Sequence, residues 1–382
     1  MTPLPIPGSE ALRHSQSLVA HIREEIARSG GWIDFAHYMQ LALYAPGLGY
    51  YSGGAEKFGA AGDFVTAPEL SPLFAQCLAR QAAQVCAQTK GDILELGAGT
   101  GRLAVELLLE LQRLDQLPAH YLILEVSAYL QDLQRQTLMA QLPPDLFARI
   151  TWLDHLPSGF DGLVLANEVL DALPVHIVGQ REHAFERGVS FEGDALVWSD
   201  RHPLPPTLNA LAAPLALAAG YLTELCPLAG ALVASLAQSL RRGVLLFIDY
   251  GFPRREYYHP QRDHGTLMCH YRHHAHGDPF LYPGLQDITA HVDFTAAAEA
   301  GVANGLRLAG YTTQAQFLIN CGITELLGQI AAGSAAYLRL ASQAQKLLSP
   351  AEMGELFKVL AMSKGQDAPL LGFVRGDKSH AL

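Results

Sequence analysis

One stretch around residue 95 constrains the fold of this chain more than any other. A largely apolar run, 93–96, meets three glycines at alternate positions (Gly97, Gly99 and Gly101), and a helix-forming run follows them. This order is typical of a strand, a tight turn and a helix. Glycine suits such a turn because it adopts positive φ freely and lets a ligand approach the backbone. Since the amides at a helix start favour an anionic group, the stretch predicts a nucleotide-like ligand above the turn.

Two acidic residues near the turn indicate which kind of nucleotide-like ligand would bind. Glu95 lies directly before the glycines, and Glu125 ends the next apolar run. An acid at the end of the second strand is suited to the ribose hydroxyls of a nucleotide. The dinucleotide fingerprint has its third glycine one residue later, where this chain has Arg102, so a nicotinamide dehydrogenase is a weaker alternative. The other alternative is a glycine turn that only packs the helix on the strand.

Strand and helix patterns alternate regularly from residue 91 onward. The predicted strands after the first lie at 121–124, 150–154, 162–167, 244–249, 306–313 and 370–374. Such alternation predicts an α/β protein with a mostly parallel, doubly wound sheet, in which ligands bind beyond the carboxyl ends of the strands. Glu95, Glu125, Asp154 and Asn167 all fall at such ends. We therefore expect these four side chains to gather at one edge of the sheet.

The chain divides into four expected segments. Residues 1–90 are expected to be helical and to end in a glycine-rich, aromatic loop, and 91–174 to form the nucleotide-binding core. Short alternating runs separated by glycines predict an inserted antiparallel flap, followed by helices, over 175–242. Residues 243–382 complete the core and include a long irregular loop, 251–290; loops of that length are commonly functional or belong to an insertion.

The loop that precedes the core is a candidate lid. Its last part, 62–69, reads Gly-Asp-Phe-Val-Thr-Ala-Pro-Glu, and Pro68 suits the first turn of a helix that follows. A mobile aromatic loop in front of a ligand site often closes over it. This interpretation adds Phe64, Thr66 and Glu69 to the candidate site, whereas the alternative is an ordinary surface loop.

Composition excludes several classes of function. The chain has 382 residues and a formal net charge of −11. Nucleic-acid phosphates require a basic field, so a basic protein segment or a small cation is a better partner than nucleic acid. No apolar run reaches the length of a membrane span. The five cysteines form no C-x-x-C pair, which is typical of reduced thiols and predicts a cytoplasmic location.

A histidine-rich stretch raises the question of a metal. Its members are His259, His264, His270, His273, His274 and His276, with Cys269 among them. Imidazole and thiolate groups suit zinc. The paired Cys and His spacing of a zinc site is lacking. We therefore expect no metal site.

With these elements placed, the chain resembles the MidA-like family of class I S-adenosylmethionine (SAM) methyltransferases. The likeness rests on the Glu-x-Gly-x-Gly-x-Gly turn and, more specifically, on the runs 167–174 (Asn-Glu-Val-Leu-Asp-Ala-Leu-Pro) and 287–294 (Asp-Ile-Thr-Ala-His-Val-Asp-Phe). It implies a Rossmann-like sheet of seven strands with one antiparallel strand near the end, and SAM as cofactor. Mitochondrial members of the family are complex I assembly factors that methylate a protein arginine, so a respiratory-complex subunit as substrate is an analogy.

The resemblance and the chemistry of the residues together give a cofactor site. Methyl transfer from a sulfonium is an in-line displacement, in which positioning is the main task of the enzyme. The glycines would open the backbone to the methionine part, Glu125 would accept from the ribose, and Asp154 would accept from the adenine amino group or be a solvated acid. The expected cofactor-binding residues are Glu95, Gly97, Gly99, Gly101, Glu125, Asp154 and Asn167.

The methyl acceptor requires a second set of residues. A guanidinium offers five donors in a plane, which carboxylates match. We expect Glu168 to bind it, Asn167 to orient donor or acceptor, and Asp171 to support the site or instead to cap a helix or pair with an arginine. His273 and His291 line the acceptor cleft or fix their loop by hydrogen bonds.

Three functions remain in consideration. The first is a SAM-dependent methyltransferase of a protein side chain, with arginine preferred. The second keeps SAM but has a small cationic or amine metabolite as acceptor. The third is a SAM-binding assembly factor with little turnover, which the set of retained acids disfavours. The oligomeric state is open, with a homodimer among the options.

Overall fold

The computed structural model describes residues 4–53 and 66–382, which form two compact units of interleaved chain. Unit 1 contains the described residues of Met1–Phe64 together with Asp171–Ala229 and Arg255–His291. Unit 2 contains those of Val65–Leu170, with Gly230–Arg254 and Val292–Leu382. The division into four segments given above stays a prediction.

Sixteen strands form in the described parts of the chain. They are β1 (Ile33–Asp34), β2 (Asp92–Leu96), β3 (Tyr121–Leu124), β4 (Ile150–Leu153), β5 (Phe160–Asn167), β6 (His176–Gln180), β7 (Ala184–Glu192), β8 (Ala195–Arg201), β9 (Leu222–Leu225), β10 (Leu240–Phe252), β11 (Met268–Tyr271), β12 (His274–His276), β13 (Asp287–Thr289), β14 (Val292–Asp293), β15 (Arg307–Thr313) and β16 (Phe357–Lys364).

The helices follow the same order. They are α1 (Ser9–Arg28), α2 (Phe35–Tyr44), α3 (Ala67–Leu70), α4 (Pro72–Thr89), α5 (Arg102–Arg113), α6 (Ala128–Gln141), α7 (Pro144–Phe147), α8 (Pro206–Ala212), α9 (Pro227–Ser239), α10 (Arg254–Tyr257), α11 (Phe294–Ala303), α12 (Gln314–Asn320), α13 (Ile323–Gly328) and α14 (Ala335–Leu348), with short 3₁₀ helices at Ala213–Leu215, Pro260–Arg262, Leu371–Phe373 and Ser379–Ala381. Within the described ranges, no helix combines the length and apolarity needed to span a bilayer.

Unit 2 is built on a mixed sheet. Its strand order is β15-β16-β10-β5-β2-β3-β4, and the two-residue β14 pairs with β10. The strands β10, β5, β2, β3 and β4 run parallel to one another, and β16 runs antiparallel to β10 and β15. The predicted α/β class with a mostly parallel sheet is confirmed. The antiparallel strand lies next to the edge strand β15.

The central strands form because their residues are apolar on both sides. The runs 163–166 in β5 and 244–248 in β10 are buried throughout, as in parallel strands that are covered on both faces. The helix α5 packs Leu103, Leu107 and Leu111 into the same core. This packing fixes the glycine turn between β2 and α5 at the carboxyl end of the sheet.

Two predictions about the later part of the chain were wrong. The run 370–374 is not a strand: a Cβ on Gly372 would lie 2.1 Å from Phe317, and the segment packs there as a 3₁₀ turn. The last strand is β16, whose pattern is less evident because Lys358 and Ser363 lie within it. The stretch 251–290 is also not irregular throughout, since β11, β12 and β13 form a small antiparallel sheet within it.

Unit 1 has a five-stranded antiparallel sheet. The hairpins predicted after residue 175 are present as β6, β7 and β8, which pair in succession. The strand β1 adds to β7, and β9 adds to β6. The helices α1 and α2 contribute buried residues such as Leu18, Phe35 and Tyr38 to the core of this unit.

Candidate functional site

The glycine turn has a backbone that other residues rarely adopt. The φ angles of Gly97, Gly99 and Gly101 are +59°, +54° and +84°. A Cβ on Gly99 would meet no atom within 4 Å, whereas one on Gly101 would lie 3.4 Å from the Cα of Gln134. The space above Gly99 is therefore open, while the backbone beside Gly101 is closely approached by α6. Both features fit a turn that presents its backbone to a ligand.

Glu95 is the acid before the turn, and it lies inside unit 2. Its side chain is 3% exposed, and the hydroxyl of Tyr121 donates to Oε2 at 2.7 Å. Burial raises the pKa of Glu95 to about 7, although the bond from Tyr121 acts in the other direction. The predicted cofactor contact of Glu95 stays a prediction, and its observed partner is Tyr121.

Glu125 follows β3 directly, as an acid for a ribose should. Its Oε1 accepts from the amide of Ser127 at 2.9 Å, and its Oε2 accepts from Nε2 of Gln134 at 3.0 Å. Burial raises the pKa of Glu125, while these two donors favour its charged form. The amide of Val126 is a third donor to Glu125. A carboxylate has about four acceptor positions, so about one remains for a ligand hydroxyl. Val126, the next residue, is 83% exposed and offers an apolar surface beside the acid.

Gln134 is a site residue that the sequence reasoning missed. It lies on α6 with no exposed surface. Its Nε2 donates to the carbonyl of Gly99 at 3.1 Å and to Glu125, and its Oε1 accepts from the indole of Trp152 at 3.0 Å. The sequence does contain a signal for Gln134. Leu130 and Leu138 lie four residues before and after it, so helical periodicity places this polar residue on the buried face of α6.

The end of β5 carries the predicted pair of Asn167 and Glu168. Nδ2 of Asn167 donates to Oε1 of Glu168 at 3.1 Å. The Oδ1 of Asn167 is buried and accepts no hydrogen bond from the residues that the structure describes. Glu168 has a φ of +53°, a conformation that costs a non-glycine residue about 1–3 kcal/mol and often marks a functional position.

Buried groups of β10 hold this strained turn in place. The amide of Glu168 donates to the carbonyl of Ile248 at 2.9 Å. The carboxylate of Asp249 is 1% exposed and accepts from the amides of Val169 and Leu170 at 3.2 and 2.9 Å. Asp249 is the last residue of the predicted strand 244–249, and its contacts could not be inferred from sequence spacing.

The two turns lie side by side because β2 and β5 are neighbours. Leu96 pairs with Ala166 across the sheet, and a Cβ on Gly97 would lie 3.3 Å from a methyl group of Val169. The structure therefore brings the glycine turn and the chain after Asn167 together in unit 2. Asp154 follows β4 at the same edge and is exposed to solvent.

The candidate lid is described only in part. Thr66 is the residue before α3, and Pro68 stands in the first turn, as predicted. A carboxylate oxygen of Glu69 accepts from the hydroxyl of Thr100 in the glycine turn, so Glu69 borders the site. Phe64 lies outside the described residues, and closure of the loop stays a prediction.

The other acceptor residues belong to unit 1. Asp171 is buried, and its carbonyl accepts from the amide of Ala290 at 3.0 Å. His273 is exposed between β11 and β12 with a φ of +62°. The amide of His291 donates to the hydroxyl of Thr266 at 3.0 Å. Their roles toward an acceptor stay predictions.

One group in unit 1 has the composition of a metal site. Among the described residues, Asp34, His176 and Glu186 place one ligand atom each within 4.8 Å of one another. Nδ1 of His176 lies 2.7 Å from Glu186 and 3.8 Å from Asp34. Burial lowers the pKa of His176, but the hydrogen bond to Glu186 and the negative charges of Asp34 and Glu186 together outweigh burial, so the pKa is raised overall. An ion pair accounts for this geometry.

The absence of a metal therefore stays a prediction. Elemental analysis of the purified protein tests it, and we expect no stoichiometric metal. Zinc or another transition metal at one per chain would contradict the expectation and would direct attention to His176 rather than to the histidine-rich stretch.

Comparison with known proteins decides the family. Residues 75–312 match the family model described as "Putative S-adenosyl-L-methionine-dependent methyltransferase". The chain belongs to this family. A methyltransferase relative from Drosophila melanogaster, named protein arginine methyltransferase NDUFAF7 homolog, mitochondrial, is 30% identical over 97% of this chain and 91% of its own length. The NDUFAF7 protein of Rattus norvegicus is 28% identical over 91% of this chain and 85% of its own.

A solved structure adds the cofactor. The crystal structure of a COG1565 superfamily member from Burkholderia thailandensis, bound to S-adenosyl-homocysteine, superposes with a TM-score of 0.96 at 53% identity and full coverage of both chains. A native crystal structure of a COG1565 superfamily protein from the same organism gives 0.94 at 52% identity, also with full coverage. The methyltransferase described here therefore uses SAM, and the Rossmann-like fold expected from the resemblance is confirmed.

A methyl group added over the glycine turn should obstruct the cofactor. In Gly99→Ala the new Cβ enters the open space, so we expect the affinity for S-adenosyl-homocysteine to fall about tenfold or more, measured by calorimetry. Gly193→Ala is a matched control, because Gly193 has a φ of +60° and equally open surroundings in the turn between β7 and β8. Equal affinity in the two variants would show that the space above Gly99 is not used.

Proposed function

We propose that this methyltransferase transfers the methyl group of SAM to an arginine side chain of a protein. The proposal rests on the hydrogen-bonded pair at the end of β5, beside the glycine turn: the amide of Asn167 and the carboxylate of Glu168. The near full-length similarity to proteins named as protein arginine methyltransferases supports the choice of acceptor.

The residues around the turn fit a bound SAM. Glu125 has an acceptor position left for a ribose hydroxyl, and the exposed Val126 offers an apolar surface to the base. The open backbone at Gly99 accommodates the methionine part. In this proposal Asp154, exposed at the same edge of the sheet, accepts from the adenine amino group. A buried hydrogen-bond acceptor that lacks a donor destabilises a protein. We therefore expect Oδ1 of Asn167 to accept a hydrogen bond from the cofactor or from the methyl acceptor. When bound, SAM supplies an electrophilic methyl group.

The role of Glu168 follows from charge. A guanidinium keeps its proton at neutral pH and is bound best by a carboxylate. One guanidinium proton must leave when a methyl group is added, since the product stays a monocation. In this proposal Glu168 holds the guanidinium and receives that proton. The hydrogen bond from Asn167 orients the carboxylate for both tasks.

The acceptor is tested with labelled SAM. The purified protein is incubated with methyl-labelled SAM and a whole-cell lysate, and the label is located by mass spectrometry. Label on arginine of a protein supports the proposal, and a respiratory-complex subunit is the first protein to examine by analogy. Label confined to small molecules would contradict it and would indicate a cationic or amine metabolite as acceptor.

A cytoplasmic location is a separate proposal. It is supported by the five cysteines, all of which are free thiols, as expected in a reducing compartment. Fractionation of cells that express a tagged full-length chain tests it. Recovery of the chain in an oxidising compartment would contradict it.

A further inference from the structure

Gln134 occupies a position where a polar side chain needs full pairing. It has no exposed surface and lies between Leu130 and Leu138 on the buried face of α6. A buried amide destabilises a protein unless its hydrogen bonds are made. Gln134 makes three of them, all to groups around the cofactor turn or the next strands.

The orientation of the amide is determined by its partners. The indole nitrogen of Trp152 can only donate, so the oxygen of Gln134 must face it. The amide nitrogen then faces two acceptors, the carbonyl of Gly99 at 3.1 Å and Oε2 of Glu125 at 3.0 Å. Its two hydrogens match these two acceptors. Among neutral side chains only the planar carboxamides of Gln and Asn supply two N–H donors and a carbonyl acceptor, and that of Gln reaches one methylene further.

These bonds join three segments that are separate in sequence. Gly99 lies in the turn after β2, Glu125 follows β3, and Trp152 lies in β4. The carboxyl ends of these adjacent strands define the edge where ligands bind in such sheets. The hydrogen bond from Gln134 to Oε2 also fixes the orientation of the Glu125 carboxylate. The direction in which Glu125 can accept from a ligand is therefore fixed as well.

We propose that Gln134 is a positioning residue for SAM. It holds the carboxylate of Glu125 at a fixed distance from the glycine turn, so that the ribose and the methionine part can be bound together. The inference uses the proposed contact between Glu125 and the ribose, but it does not depend on the identity of the methyl acceptor.

The first test replaces Gln134 by a residue of similar size without polar atoms. Gln134→Met should raise the Kd of S-adenosyl-homocysteine and the KM for SAM about tenfold or more, while kcat at saturating SAM changes less than about threefold. Gln136→Met is the matched control, because Gln136 lies on the exposed face of the same helix. An unchanged Kd in a folded Gln134→Met protein, or an equal effect of Gln136→Met, would overturn the proposal.

The second test uses pH. In Gln134→Glu, an ionised carboxylate would face both Glu125 and the Gly99 carbonyl, whereas its protonated form resembles glutamine and regains a donor. The loss of S-adenosyl-homocysteine affinity relative to wild type should therefore be larger at pH 8 than at pH 5.5. A loss that is equal at both pH values would overturn the proposal, and this arm also applies when Gln134→Met does not fold.

Glu125→Ala distinguishes a failure of the proposed ribose contact of Glu125 from a failure of the positioning role of Gln134. If its affinity for S-adenosyl-homocysteine equals that of wild type, the proposed ribose contact fails. If Glu125→Ala binds weakly but both Gln134 variants bind like wild type, the ribose contact stands and the positioning role of Gln134 is overturned. Weak binding in Glu125→Ala and in Gln134→Met supports both.

Discussion

Glu168→Gln is expected to lower the rate of methyl transfer about a hundredfold or more, while the affinity for S-adenosyl-homocysteine stays within about twofold. The amide keeps the shape of the side chain and still accepts from Nδ2 of Asn167. It lacks the charge that we propose binds a guanidinium, and it cannot act as the proposed base for the departing proton. Calorimetry measures the affinity, and release of labelled methyl groups onto the acceptor protein measures the rate.

A control must separate charge at the site from strain in the backbone. Asp115 is also an acid with positive φ, at +54°, but it lies exposed after the far end of α5. Asp115→Asn should leave both the affinity and the rate at wild-type values. If Glu168→Gln abolished cofactor affinity together with activity, Glu168 would be a cofactor ligand. If its activity were unchanged, the proposed acceptor role would be wrong.

The local part of the site could be predicted from the sequence. The strand, the glycine turn and the helix are consecutive in the chain, so their geometry follows from backbone preferences alone. Glu125 and Asn167 were placed correctly at strand ends, because apolar runs of strand length end at them. Only the order of the strands was needed to bring them to one edge of the sheet.

Contacts between distant residues could not be predicted in this way. Gln134 gains its importance from partners on three other segments, and Asp249 from amides 79 and 80 residues away. Hydrophobic periodicity carries no information about such pairs. The same limit explains the error at 370–374, where an apolar run of strand length packs as a turn because Gly372 fits beneath the ring of Phe317.

Glu95→Gln is expected to stabilise the folded protein at high pH. Burial holds the pKa of Glu95 at about 7, above its value of about 4.3 in an unfolded chain. The folded state therefore resists ionisation, and wild-type stability falls as pH rises from the lower pKa to the higher one. An amide does not ionise, so the free energy of unfolding of the variant should exceed that of wild type by about 3 kcal/mol at pH 8 and by about 1 kcal/mol at pH 5.

Chemical denaturation at the two pH values measures this difference. A gap that is the same at both pH values would show that folding does not raise the pKa of Glu95. The partner of Glu95 gives a second check, since the hydroxyl of Tyr121 favours the charged form. In Tyr121→Phe the pKa of Glu95 should rise further, so the decrease in stability with pH should begin at the same pH as in wild type and continue to a higher pH.

The ionised carboxylate of Glu95 destabilises the fold at neutral pH. An acid at this position is explained if the bound cofactor needs its negative charge. SAM carries one more positive charge than S-adenosyl-homocysteine. Glu95→Gln should therefore weaken the binding of SAM more than the binding of S-adenosyl-homocysteine. Equal losses of affinity would show that the charge of Glu95 does not stabilise the sulfonium.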